Sequence, residues 1–295
     1  MKQKFVSQYY KEKFGCKVYK LCLDVGMTCP NRDGTVGYGG CTFCSASGGG
    51  DFAEKGTDNI ALRLEQAKKR VEHKNRGGKY IAYFQAFSNT YAPLPLLRKL
   101  YLDAIAPEYI VALDIATRPD CINDETVDLL RYINTIKPVT VELGLQTANN
   151  ITAKRINRGY DTEVFLTAVK KLKNAGIETV AHMIIGLPGD NEADAVKTAR
   201  LISDVGTDGI KFHLLHILKG SALEREYYNG NVKTLSLEEY TNILQKCISA
   251  LRDDIIIHRL TGDGSKKELI APLWSANKKV ALNYINNAIG GLNHA

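Results

Sequence analysis

Apolar residues along this chain fall into short blocks separated by longer amphipathic stretches. Blocks at Val18 to Val25, Tyr80 to Gln85, Tyr109 to Ile115, Val139 to Gln146, Thr179 to Ile185 and Gly209 to Leu215 have the length and composition of strands. Helix-period segments lie between them, at Asn59 to His73, Pro95 to Ala104, Asp124 to Asn134, Thr162 to Ala175 and Ala193 to Val205. This alternation predicts an α/β fold, a parallel sheet with crossover helices. No repeat or low-complexity linker interrupts the series, so residues 18–216 read as one core. Residues 1–17 form a basic, aromatic extension before it. Residues 217–295 follow as an accessory region that covers the core: a loop from Lys219 to Lys233, a helix near Leu237 to Leu251, a β-rich run from Ile255 to Leu260, and a basic tail with Trp274, Lys278 and Lys279.

With 295 residues, 44% apolar and 24% charged, the chain is long enough to bury a sizeable core. Its first twenty residues lack an apolar leader core and no apolar run approaches membrane-spanning length, which leads us to expect a cytoplasmic protein with no membrane partner. In that compartment seven cysteines read as free thiols or metal ligands rather than disulfides. Cys121 and Cys247, in helix-like surroundings, read as small buried apolar residues. A formal charge of +7 favours an anionic partner without identifying one. Met1 to Lys20 holds six lysines and one glutamate, interleaved with Phe5, Tyr9, Tyr10, Phe14 and Tyr19. Such a segment suits a nucleic-acid surface, and equally a solvated lead-in whose aromatics pack on the core.

Chemistry concentrates in Cys29, Cys41 and Cys44, a Cys-x11-Cys-x2-Cys pattern that follows the first strand and runs into a glycine-rich loop. Three clustered thiolates without an obvious fourth suit a cluster with one metal position left open. The cysteines alone also permit a closed zinc site, completed from Cys16 or Cys22. In parallel barrels reactive groups sit at the carboxyl ends of strands. There this chain carries Gln85, Ser88 and Asn89, then Ala116-Thr117-Arg118-Pro119-Asp120, then Gly144-Leu145-Gln146 with Arg158 in Asn157-Arg158-Gly159, then Gly186-Leu187-Pro188-Gly189-Asp190. Lys211, His213 and His216 lie on or just after the sixth strand.

The cysteine loop and these strand ends, taken in order over residues 29 to 190, resemble the radical S-adenosylmethionine (SAM) enzymes, in the branch of the elongator catalytic subunit. The usual superfamily spacing, Cys-x3-Cys-x2-Cys, is shorter than the one here. The resemblance implies a partial (β/α)6 TIM-like barrel and a [4Fe-4S] cluster held by Cys29, Cys41 and Cys44, with SAM chelated to the fourth iron. It implies a reducing electron donor such as flavodoxin or ferredoxin. It places Gln146 at the SAM ribose and Arg158 at its carboxylate, with Thr117, Arg118 and Gly186 further along the cofactor. Gln85, Ser88 and Asn89 stand where related enzymes use a Gly-Gly-Glu segment for the SAM amine, and Ala116 stands where they carry glutamate. A structural zinc site predicts none of these strand ends.

The segments His216 to Ser221, His258 to Asp263 and Ala271 to Ser275 with Lys278 are similar to a bacterial radical SAM group, the MnmL/YtqA group. That similarity implies a tRNA partner, and removal of the carboxymethyl part of 5-carboxymethylaminomethyluridine at the wobble position to leave 5-aminomethyluridine. Lys211, His213 and Arg259 are then the residues expected to act on the substrate, a cation such as Lys211 or Arg259 holding its carboxylate. Two other classes stand beside this one: a radical SAM enzyme acting on a small metabolite or a protein, and a non-catalytic iron-sulfur or zinc module that binds nucleic acid.

Overall fold

Every apolar block forms a strand in the computed structural model, which describes residues 4–50, 53–54, 59–75, 77–262, 264 and 266–292. The chain begins with β1 (Lys4–Phe5) and α1 (Val6–Phe14). The βα series follows as β2 (Val18–Leu23), α2 (Ile60–Val71), β3 (Lys79–Phe84), α3 (Leu94–Ile105), β4 (Ile110–Thr117) and α4 (Asp124–Asn134). It continues through β5 (Val139–Gln146), the short α5 (Asn150–Arg155), α6 (Thr162–Asn174), β6 (Glu178–Ile185), α7 (Glu192–Asp204) and β7 (Gly209–Leu214). The last portion supplies β8 (Ile217–Leu218), α8 (Ala222–Tyr228), α9 (Leu237–Ser249), β9 (Ile256–Arg259), β10 (Leu269–Ala271) and α10 (Lys278–Leu292).

Local chemistry sets the helix starts. The Asn123 side chain accepts from the Thr126 N–H at 2.8 Å. Asn191 with Asp194, and Ser236 with Glu239, form reciprocal capping boxes.

Eight strands make one sheet in the order β1-β9-β7-β6-β5-β4-β3-β2, and every neighbouring pair is parallel. The sheet curls into a half-barrel with helices outside it, and the six consecutive strands from β7 to the β2 edge are the predicted ones. The C-terminal region does more than cover this core, because β9 pairs with β7 and β1 pairs beyond it. Ile256 and Ile257 are buried there. A separate two-stranded antiparallel sheet joins β8 to β10.

The N-terminal aromatics turn inward. Tyr10 is buried against Ile81 and Ala112, with Val6, Tyr9 and Phe14 packed around them. The Tyr9 hydroxyl and the Lys13 ammonium both donate to Glu178, the first residue of β6. Lys79, the first residue of β3, donates to the Phe14 carbonyl at 3.3 Å. Helix α1 therefore closes the amino-terminal end of the half-barrel, opposite the cysteine loop. Met1 to Gln3 lie outside the described residues. No helix among the described residues is long and apolar enough to cross a membrane.

Candidate active site

A cavity of about 320 Å³ runs from the cysteine loop into the half-barrel. Cys29, Cys41 and Cys44 border it at the carboxyl end of β2. The loop is tied to the residues that follow α5. Asn31 donates to the Asn157 carbonyl at 2.6 Å, Asn157 returns a bond to the Gly40 carbonyl at 2.8 Å, and the Thr42 N–H reaches the Ile156 carbonyl at 3.0 Å. Gly48 is obligatory where the loop crosses β3: a Cβ there would meet the Phe87 ring at 2.3 Å, and φ is +60°.

The Cys41 thiol is pushed up to about 12 by burial, then by the neighbouring Cys44 and Cys29, against the pull of Arg118. The neighbouring thiols thus oppose ionisation of Cys41, and a polycationic iron core is what would let the three bind as thiolates. No three His, Cys, Asp or Glu side chains among the described residues are grouped to hold a single metal ion. Cys16 lies before β2, beside Gly77 at the opposite end of the strand, and Cys22 is paired with Tyr83 inside the barrel. Neither completes a closed zinc site with the loop.

Around the cysteines stand several expected cofactor residues. Gln85, Ser88, Thr117, Arg118 and Gln146 border the cavity. Gln85 donates to the Gly49 carbonyl at 2.8 Å, and Thr117 shares a 2.6 Å hydroxyl bond with Thr90. Arg118 forks onto Asp120 at 2.9 and 2.6 Å and donates once more to the Arg158 carbonyl at 3.0 Å. Gln146 sits at φ +64°, where a tight Thr147-to-Leu145 backbone bond kinks the end of β5. Its amide folds back over Gly144, where a Cβ would lie 2.4 Å from Nε2.

Arg158, Asn89 and Gly186 are not among the lining residues. The Arg158 guanidinium is fully buried and spends all five N–H bonds internally: on the carbonyls of Leu145 and Thr147 at 2.6 Å, on that of Tyr160 at 2.9 Å, and on Asn150 and Thr162 at 3.4 Å. In this arrangement it has no donor left for a carboxylate. Asn89 bridges the carbonyls of Phe84 and Ala116, and Gly186 packs beside Leu235 and Leu215.

Lys211, His213 and Arg259 reach the same cavity from β7 and β9, and Glu142, His182 and Tyr83 join them from β5, β6 and β3. Glu142 is the hub. It accepts from Lys20 at 2.7 Å, Tyr83 at 2.6 Å, His182 at 2.9 Å and Lys211. Burial works against its charge, but Lys20, Lys211 and His182 overcome that and hold the carboxyl well below its usual range. Asp114 pairs with Lys20 and receives the Tyr10 hydroxyl at 3.4 Å, yet burial leaves its carboxyl raised. Burial likewise keeps His213 well below the ordinary histidine value, reinforced by His182, Arg259 and Lys211. Sequence reasoning assigned no role to Glu142, His182 or Tyr83. The available signal was one acid within Val139 to Gln146 and one histidine within Thr179 to Ile185, since a polar side chain in an otherwise apolar strand faces a site or a partner. Asp263, at the end of the segment from His258, lies outside the described residues.

Residues 28–202 match the Radical SAM superfamily, and residues 207–290 match the Radical_SAM C-terminal domain. The chain belongs to the radical SAM superfamily. It is 43% identical over 284 residues to the uncharacterised protein YtqA of Bacillus subtilis (strain 168), covering 96% of this chain and 88% of that protein. It is 26% identical over 165 residues to a tRNA uridine(34) acetyltransferase of Methanocaldococcus jannaschii, covering 55% of this chain and 30% of the acetyltransferase. The fold is that of the archaeal Methanocaldococcus infernus Elp3, with a TM-score of 0.67 at 18% identity. That match takes in 92% of this chain and 63% of the Elp3 chain. This protein is thus a radical SAM enzyme related to tRNA-modifying enzymes. Its superfamily implies a [4Fe-4S] cluster and SAM, and the open three-thiol loop above fits that pair.

Proposed function

We propose that this radical SAM enzyme acts on tRNA, removing the carboxymethyl part of 5-carboxymethylaminomethyluridine at the wobble position to leave 5-aminomethyluridine. The observation that carries the reading is a shared cavity, bordered by Cys29, Cys41 and Cys44 at one end and by Lys211, His213 and Arg259 at the other. A cavity of about 320 Å³ accepts a modified base and not a helix, so the base enters alone, which an unpaired wobble base does at low cost. The relationship to a tRNA uridine(34) acetyltransferase supports the same direction.

In this reading Cys29, Cys41 and Cys44 hold the cluster. Gln146 and Thr117 face the SAM ribose. Arg118 takes the SAM carboxylate in place of Arg158, because it borders the cavity and three of its five N–H bonds are committed, leaving two. When bound, the cluster and SAM supply one-electron cleavage and hydrogen abstraction, supported by a flavodoxin- or ferredoxin-type donor. Arg259 forks onto the carboxylate of the substituent and sets which carbon faces the cofactor. The Glu142 hub keeps this wall rigid, since each of its members is hydrogen-bonded to another.

The test is anaerobic incubation of reduced enzyme with SAM and tRNA bearing 5-carboxymethylaminomethyluridine, read by nucleoside mass spectrometry. We expect 5-aminomethyluridine from the wild type and none from Cys41→Ala. Arg259→Gln should lose about 30-fold in kcat/KM, the equivalent of ~2 kcal/mol for one buried charge contact, with tRNA affinity nearly unchanged. SAM cleavage that leaves the modified nucleoside intact would sink the substrate and point to a small metabolite or protein instead.

A further inference from the structure

We propose that Lys211 is the proton acceptor of the substrate pocket, taking a proton from the aminium of the wobble substituent before the neighbouring carbon reacts; this rests on the wobble-uridine reading above. Lys211 is the third residue of β7, only 6% exposed, and still borders the cavity. Its Nζ meets Glu142 Oε2 and lies 3.4 Å from the Tyr83 hydroxyl.

Two lysines draw on Glu142, and they are held unequally. Lys20 takes Oε1 and is gripped a second time by Asp114. Lys211 shares Oε2 with two other donors, Tyr83 and His182. Of the two ammonium groups, the one on Lys211 is therefore the cheaper to discharge.

The groups around it favour that loss. The anions facing it are Glu142 from β5 and Asp114 from β4, while Lys20 from β2 and Arg259 from β9 add positive charge. Tyr83 and Cys22 are held in their neutral forms, as are His182, His258 and, on its own strand, His213, each chiefly by burial. Burial, opposed by Glu142 and aided by Lys20 and Arg259, brings the Lys211 amine down to about 7.

The chemistry needs such a group. The substituent nitrogen is a secondary amine and is protonated near neutrality, and an aminium has no lone pair to delocalise onto an adjacent carbon-centred radical. In the proposed step the aminium N–H bond breaks, a new N–H bond forms on Lys211 Nζ, and the electron pair stays on the substrate nitrogen. The resulting ammonium rests against Glu142. The primary amine of the product takes the proton back as it leaves, which returns Lys211 to its neutral form.

Two measurements test this. In protein labelled with ε-¹³C lysine, the Lys211 resonance, assigned by its absence in Lys211→Arg, should titrate with a midpoint near 7 without tRNA present. Product formation by the wild type should rise with pH through the same midpoint. Lys211→Arg should lose about 100-fold at every pH with iron content unchanged, because a guanidinium cannot release its proton. A midpoint of about 10, or an arginine variant that retains turnover, overturns the role of Lys211 and favours a simple carboxylate clamp. No conversion by the wild type at any pH instead overturns the wobble-uridine reading and removes the proton's source, whatever the midpoint.

Discussion

Arg158 carries its charge into the interior and meets no carboxylate among the described residues. Carbonyl dipoles and the face of Tyr160, 4.6 Å away, take that place. What it secures is the kink at the end of β5, because Leu145 and Thr147, whose carbonyls it binds, flank Gln146 at φ +64°. Arg158→Ala should therefore cost ~3–5 kcal/mol, mostly from carbonyls left unpaired, measured by chemical denaturation of the metal-free protein. Arg118→Ala, at the cavity edge, should cost less stability and more SAM affinity. Equal loss of SAM affinity from both variants at unchanged stability would contradict this division. An arginine in Asn-Arg-Gly reads as a ligand from sequence, and nothing in the local pattern shows that its donors are consumed by a turn twelve residues earlier.

At the scale of elements, α1 and the cysteine loop close opposite ends of the half-barrel. The loop was legible, since its thiol spacing and glycines follow directly from the first strand. Helix α1 was half legible: the basic and aromatic content fitted two roles, and only the packing of Tyr10 on Ile81 and Ala112 distinguishes them. The consequence is an effect on folding rather than on RNA. Tyr10→Ala should lower stability by ~3–4 kcal/mol, as for other buried aromatics, and under the proposed tRNA function the folded fraction should bind tRNA as the wild type does. Weaker tRNA binding by a variant of undiminished stability would return α1 to the nucleic-acid surface.

Across the whole molecule, three histidines line one charged interior. Burial holds His182 below its ordinary value and His213 and His258 well below it, with nearby cations adding to the effect. The unfolded chain binds protons at these positions below about pH 6.5 and the folded chain does not, so stability is complete above that pH and falls beneath it. The slope is at most ~1.4 kcal/mol per pH unit for each histidine. Lys211 acts in the same sense between about 7 and its higher unfolded value. The melting temperature should thus rise from pH 5 to the alkaline side of neutrality, and His258→Gln should reduce that dependence. A melting temperature flat between pH 5 and 7 would contradict the arrangement.

Strands β2 to β7, the crossover helices between them and the spacing of the three loop cysteines are local facts. Apolar periodicity, capping residues and thiol spacing act over a few neighbours, so the sequence alone determined them. Long-range pairing decided the rest. β9 enters the main sheet by pairing Ile256 with Gly209 and Ile257 with Ile210 of β7, far away in sequence, which buries a side chain on each face of the strand. Glu142, His182, Lys211 and Lys20 lie on four strands and become one hub only when those strands curl, since each polar group removed from water must then find its partner across the barrel.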